Sequence, residues 1–148
     1  MKVFFAAVVS LVLMSAESGN LIYNGGFELG TDGFALHRIV TRKDRRHLPL
    51  ELEKADPAHG NCSIRIPNPD GDYFEFYVSS FVLKPDTVYT FSMTAKTDVA
   101  GGVPVEALIH DIQWNTNRKT FQVGDRYSRY SFRFKTGAAG GPNVIRIW

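Results

Sequence analysis

The 148-residue sequence contains a single cysteine, Cys62, which excludes an intrachain disulfide and any zinc site built from several cysteines. A large excess of either charge is also lacking, since the sequence has 17 Lys and Arg and 15 Asp and Glu, for a net charge of +2. That balance does not indicate a nucleic-acid or membrane partner. The longest uncharged apolar run, Val3–Met14, is too short to span a bilayer comfortably. The near-average composition instead predicts one globular domain with its own core.

Signatures of common catalytic sites are absent as well. There is no Gly-x-Ser-x-Gly elbow, phosphate loop or dinucleotide fingerprint. The four histidines lack metal-ligand spacing: His37, His47, His59 and His110. Glu51 and Glu53 lie two apart on one predicted strand, roughly 6.5–7 Å between Cα atoms, a separation not far from that of two hydrolytic carboxylates. They alternate with Leu50 and Leu52 as a solvent face does, so we expect a non-catalytic domain and keep a lyase or hydrolase as a third hypothesis.

The N-terminus has the layout of a secretory signal peptide. A positive start at Lys2 precedes the apolar run, and small residues follow it at Ser15, Ala16, Ser18 and Gly19. We expect residues 1–18 to be cleaved, after Ala16 or Ser18, and residues 19–148 to form the mature domain. The protein is then secreted, extracellular or periplasmic, with no membrane anchor. The alternative is that the apolar run is a buried N-terminal strand or helix.

The mature chain consists of short runs rich in Val, Ile, Tyr, Phe and Thr, separated by Gly, Pro, Asn and Asp. Period-two alternation recurs in these runs and no helical period persists, which predicts an all-β fold, an antiparallel β-sandwich of the jelly-roll type. The predicted strands are Asn20–Tyr23, Phe34–Val40, Leu48–Lys54, Cys62–Ile66, Tyr73–Leu83, Val88–Thr97, Val103–Trp114, Lys119–Val123, Tyr127–Lys135 and Asn143–Trp148. Cys62 falls in such a strand and is expected in the core.

Three segments resemble one group of proteins. Residues 20–30, Asn-Leu-Ile-Tyr-Asn-Gly-Gly-Phe-Glu-Leu-Gly, are similar to the opening of carbohydrate-binding modules of families 4, 9, 16 and 22. Residues 81–96 resemble the Leu-Lys-Pro-Gly run of that group, and residues 121–135 resemble its strand-turn-strand close. The resemblance implies a galactose-binding-like jelly roll that binds sugars.

The C-terminus departs from this pattern. Modules of the group usually end with a strand bearing an acidic pair, whereas here the chain stops at Ile145-Arg146-Ile147-Trp148. Either the last strand is lost or the chain is a fragment of a longer product, and we favour the fragment. A hydrophobic strand left at the terminus is expected to expose a sheet edge.

A sugar-binding surface needs aromatic faces for the apolar side of a pyranose, with polar groups beside them for the hydroxyls. Alternation points these residue types away from the core on three predicted strands. The predicted contacts are Tyr73, Glu75, Tyr77, His110, Trp114 and Arg146. For each residue alone, an ordinary position on an outer strand face is the alternative.

Two further sites are predicted. The resemblance implies a structural calcium, with Glu28 at the position of the family's Glu ligand and Asn61 in the loop that lends a carbonyl; the acidic ligand from the last strand is missing. The cluster Arg42–His47 could clamp an acidic polysaccharide, although such a run is more often a solvated loop tip.

Together these observations predict a non-catalytic module that binds a polysaccharide or oligosaccharide, and no nucleic acid. It is expected as a monomer or as part of a larger multidomain chain, with a glycoside hydrolase as parent. The alternative is a structural or cell-surface β-sandwich spacer that binds no sugar.

Overall fold

The computed structural model describes residues 10–15, 19–29, 39–41, 51–57, 60–66, 74–110, 116–139 and 141–147. The elements in these ranges are strands, in agreement with the predicted all-β class. They are β1 (Ser10–Ser15), β2 (Ile39–Thr41), β3 (Glu51–Glu53), β4 (Ser63–Arg65), β5 (Phe74–Leu83), β6 (Val88–Ala95), β7 (Val103–His110), β8 (Thr116–Val123), β9 (Ser128–Lys135) and β10 (Gly141–Ile147). Within the same ranges there is no helix with the length and apolar character needed to cross a membrane.

The strands form three antiparallel sheets. One sheet has the order β1-β6-β9, a second has the order β2-β5-β10-β7-β8, and β3 pairs with β4 in a small third sheet. Side chains from all three meet in one hydrophobic core, including Phe91 of β6, Ile109 of β7 and Ile64 of β4. The described strands therefore form a β-sandwich, and its jelly-roll connectivity stays a prediction.

Aromatic side chains fill the core between β6, β8 and β9. Phe91, 0% exposed, lies with its ring centroid 5.8 Å from that of Phe132, and Phe121 of β8 contacts both Tyr130 and Phe132 of β9. These rings join the edges of the two larger sheets. Cys62 is buried, as predicted, and its thiol donates a hydrogen bond to the Phe27 carbonyl at 2.6 Å.

The other predicted strands overlap observed ones in the residues that the structure describes, but the predicted strand Asn20–Tyr23 is wrong. This segment forms turns, with Gly25 N–H donating to Ile22 O at 3.3 Å and Phe27 N–H donating to Asn24 O at 2.8 Å. The Asn20 side chain accepts from the Ile22 N–H, an alternative to a strand ladder that asparagine offers readily. Ile22 and Phe27 are nevertheless buried in the core. The apolar residues of this segment therefore contribute to the core from turns and not from a strand.

The apolar N-terminal run contributes β1. Its residues pair antiparallel with β6, from Ser10 opposite Thr94 to Ser15 opposite Tyr89. An N-terminal strand was the alternative to a signal peptide, and this pairing is what that alternative predicts. Cleavage of residues 1–18 stays a prediction.

The C-terminal strand does not lie at a sheet edge. β10 pairs with β5 on one side and with β7 on the other, in the middle of the five-stranded sheet. The expectation of an exposed edge at this strand is wrong, because its neighbours come from distant parts of the sequence that no local pattern pairs with it.

Candidate functional site

The candidate site is the outer face of the five-stranded sheet, defined as the strand positions that alternate with those in the core. On β7 the core positions are Val105, Ala107 and Ile109, each at most 3% exposed. Residues opposite one another in a ladder share a face, so the register extends this assignment across the sheet. The outer face then contains Glu75 and Tyr77 of β5, Val144 and Arg146 of β10, Glu106, Leu108 and His110 of β7, and Thr116, Arg118 and Thr120 of β8.

One row of residues crosses four strands of this face. Tyr77 is the partner of Arg146, Arg146 is the partner of Leu108, and Leu108 is the partner of Arg118. Directly opposed Cα atoms in antiparallel strands are about 4.5–5.5 Å apart, so the row is roughly 15 Å long. Leu108 divides this row, because it is buried between Arg146 and Arg118.

The next row continues the polar character of the face. Val144 is opposite His110, and His110 is opposite Thr116. The His110 Nδ1 and the Thr116 Oγ1 are 3.0 Å apart, a hydrogen bond that orients the half-buried imidazole from the neighbouring strand. On the other side of Leu108, Glu106 is opposite Thr120. Acidic, basic and hydroxyl groups thus alternate across β7 and β8.

Leu108 occupies the middle of the face but is only 4% exposed. An exposed leucine at this position would present an apolar patch to water, but Leu108 is buried. The accessible part of the face on β7 and β8 is therefore polar, with Thr116, Arg118 and Thr120 exposed.

Four of the six predicted sugar contacts fall on this face: Glu75, Tyr77, His110 and Arg146. Tyr73 and Trp114 lie outside the described residues. Sequence reasoning missed Arg118 and Thr116 because it began this strand at Lys119, whereas β8 begins at Thr116. The missed start, Thr-Asn-Arg, has no apolar alternation, since β8 is an edge strand with little core contact there.

The two predicted calcium ligands contact each other. Glu28 Oε1 accepts from the Asn61 backbone N–H at 2.8 Å, and Glu28 Oε2 accepts from Asn61 Nδ2 at 3.0 Å. Gly60 takes φ +63°, and a Cβ there would lie 1.9 Å from Glu28 Oε1, so this glycine allows the approach. The pair ties two loops together. Across the described ranges, no three His, Cys, Asp or Glu side chains come together as metal ligands, and this pair alone offers fewer oxygens than calcium takes.

Glu53, one of the two glutamates considered as hydrolytic carboxylates, has a local structural role. Glu53 Oε1 accepts from the backbone N–H groups of Ala55 at 2.7 Å and Asp56 at 3.2 Å. Glu51 is exposed on the same short strand. The Glu53 carboxylate thus stabilises the turn after β3. The other predicted feature, the basic cluster Arg42–His47, lies outside the described residues.

Beside this turn, Tyr127 connects β9 to the segment after β3. Its hydroxyl donates to the Asp56 carbonyl at 2.7 Å, and Lys96 Nζ lies 4.5 Å from the centre of its ring. Lys96 also forms an ion pair with the Asp56 carboxylate. Burial, with smaller contributions from Asp56 and Glu53, raises the pKa of Tyr127 well above that of a free tyrosine. The hydroxyl therefore stays protonated and keeps its role as a donor.

No family model matches the sequence. No curated protein matches it either. Among solved structures, the chain is similar to TmCBM61, a carbohydrate-binding module whose structure was determined in complex with β-1,4-galactotriose. That similarity has a TM-score of 0.45 and 16% sequence identity, covering 88% of this chain and 86% of the other.

Proposed function

We propose that this chain is a secreted, non-catalytic module that binds a neutral polysaccharide or oligosaccharide on the outer face of its five-stranded sheet. The observation that carries the proposal is the register of β5, β10 and β7. It brings Glu75, Tyr77, His110 and Arg146, separated by up to 71 positions in the sequence, onto one face of one sheet. The resemblance of residues 20–30 and 81–96 to carbohydrate-binding modules adds independent support.

In this proposal each residue type has a role set by its chemistry. The Tyr77 ring stacks on the apolar face of a pyranose, while Arg146 and Arg118 donate hydrogen bonds to hydroxyl oxygens. Glu75 and Glu106 accept hydrogen bonds from sugar hydroxyl groups. The four charged side chains are two arginines and two glutamates. Their charges balance, which suits an uncharged ligand. Such contacts are individually weak, so affinity is expected to be about micromolar or weaker.

The test is affinity electrophoresis of the protein through gels containing xylan, β-glucan or galactan. We expect one of these neutral polysaccharides to retard the protein. Tyr77→Ala and Arg118→Ala are each expected to weaken the retardation about tenfold, because a contact worth about 1.4 kcal/mol is lost.

Tyr23→Ala is the matched control, since Tyr23 is 52% exposed in a turn outside the five-stranded sheet. Its retardation should equal that of the unmodified protein. Free migration of a folded protein in every gel would favour the spacer hypothesis. Equal loss in Tyr23→Ala and Tyr77→Ala would overturn this site.

A structural calcium beside Glu28 is a separate proposal, supported by the resemblance and by the exposed Glu28–Asn61 pair. Bound calcium stabilises the folded state in proportion to its affinity, so chelation with EDTA should lower the melting temperature by several degrees. An identical melting temperature with calcium and with EDTA would show that the hydrogen-bonded pair holds the loops alone.

Export is also a proposal, and it rests on the first eighteen residues. The amino-terminal sequence of protein recovered from the extracellular or periplasmic fraction distinguishes the two outcomes. A start at residue 17 or 19 supports cleavage, whereas retention of Ser10–Ser15 supports a structural β1.

A further inference from the structure

The second large sheet concentrates positive charge. None of its strands, β1, β6 and β9, contains Asp or Glu, while β9 contains Arg129, Arg133 and Lys135. These three charges exceed the net charge of +2 of the whole chain, so the rest of the sequence is net negative. The balance seen in the composition therefore conceals a local basic surface.

All three cations lie on the side of β9 that faces away from the core. Tyr130, Phe132 and Phe134 occupy the alternate positions and pack inward. Arg129, Ser131, Arg133 and Lys135 are exposed. On β6 the residues opposite them are, in order, Thr94, Ser92, Thr90 and Val88. We call this surface, in which three cations and Ser131 lie beside three hydroxyl residues and Val88, the β6–β9 face.

The contacts that these three cations make leave them accessible to a ligand. Arg129 leans across the sheet and donates from Nη2 to Ser92 Oγ at 3.3 Å, which fixes its direction. Among the described residues, no carboxylate forms an ion pair with Arg129 or Arg133. Lys135 pairs with Asp86 at 3.3 Å, but both side chains are more than half exposed. Such surface pairs are worth about 0–1 kcal/mol, so a ligand carboxylate can replace Asp86.

We propose that the β6–β9 face binds an acidic polysaccharide, with carboxylate or sulfate groups on the cations of β9 and sugar hydroxyls on Ser131, Thr90 and Thr94. Guanidinium groups recognise such anions with two parallel hydrogen bonds. The cation spacing, about 6.8 Å from Arg133 to Lys135 and roughly 13 Å from Arg129 to Arg133, matches an extended ligand with repeated charges. This site is on a different sheet from the neutral-glycan site and does not depend on it.

The residues beside the cations favour this partner over other anionic macromolecules. Single-stranded nucleic acids bind on exposed aromatic rings, and the one aromatic residue that continues the outward column of β9, Tyr127, has Lys96 over its ring and its hydroxyl bonded to Asp56. Binding on a membrane surface needs a broad apolar face, whereas Arg129 and Arg133 lie opposite threonines and one apolar residue, Val88, lies opposite Lys135.

The test is affinity electrophoresis through gels containing polygalacturonate or dextran sulfate, at low and at high salt. We expect retardation by one or both at low salt and a loss at high salt, because exposed charges are screened. Arg129→Gln/Arg133→Gln should weaken binding about tenfold. The control Lys54→Gln/Lys119→Gln removes the same charge outside β6 and β9 and should bind like the unmodified protein. Arg133→Gln alone, at an exposed position, serves if the double variant does not fold.

Which polymer retards the protein distinguishes a carboxylate from a sulfate ligand. Equal weakening in both double variants, equal binding to single-stranded DNA or to vesicles containing phosphatidylserine, or no retardation at low salt would each overturn the proposal. Tyr77→Ala, which tests the neutral-glycan site, should leave retardation by the acidic polymer unchanged. Failure of one site is thus separable from failure of the other.

Discussion

Replacing Phe91 by alanine is expected to lower the free energy of unfolding by about 3–5 kcal/mol, because it leaves a cavity in the centre of the sandwich. Phe91 is 0% exposed and lies on the middle strand of its sheet, opposite Leu13 of β1 and Phe132 of β9. Its ring also contacts that of Phe132. For a chain of this length each kcal/mol corresponds to roughly 2–4 °C, so the melting temperature should fall by about 6–20 °C.

Val88→Ala is the control on the same strand. Val88 is 42% exposed, and its loss should change the free energy of unfolding by less than about 1 kcal/mol. Denaturant unfolding of both variants measures the difference. Phe91→Leu removes less volume and keeps the comparison possible if the alanine variant does not fold. Equal losses for Phe91→Ala and Val88→Ala would mean that this core is not assembled as described.

Gly102→Ala is expected to destabilise the protein by about 2–4 kcal/mol, through backbone strain and a clash that no rotamer relieves. Gly102 has φ +76°, and an added Cβ would lie 2.4 Å from the Val123 carbonyl oxygen. That contact is where β7 begins to pair with β8, at Val103 opposite Val123. The backbone must shift there, which displaces the strand that carries Glu106 and His110.

The neighbouring glycine provides a matched control. Gly101 has φ +85°, but a Cβ there meets nothing within 4 Å. Gly101→Ala should therefore show the conformational strain alone, about 1–2 kcal/mol. Thermal melts of the two variants isolate the clash, and retardation by the neutral polysaccharide should weaken more in Gly102→Ala. A Gly101→Ala variant as unstable as Gly102→Ala would show that the approach to Val123 is not close.

The local sequence pattern was sufficient to predict the strands in which apolar and polar residues clearly alternate. The runs Val88–Thr97 and Tyr127–Lys135 anticipated β6 and β9 closely, because one apolar and one polar face follow directly from the two-residue period of a strand. Asp86, in the turn between β5 and β6, takes the left-handed φ of +49° that aspartate tolerates. Where side chains compete for the backbone, as at Asn20, the same reasoning failed.

The candidate sites divide in the same way. The sequence alone determined that the chain is all-β, which residues alternate outward on the strands with a clear period of two, and that Arg129, Arg133 and Lys135 share one side of β9. Only the tertiary structure decided which strands are neighbours: it placed β10 between β5 and β7, aligning Tyr77 with Arg146, and it put threonine and serine of β6 beside the cations of β9. The physical reason is that alternation is a property of each strand's own backbone geometry. Pairing depends on contacts between segments far apart in the chain, which are selected by how the whole core packs.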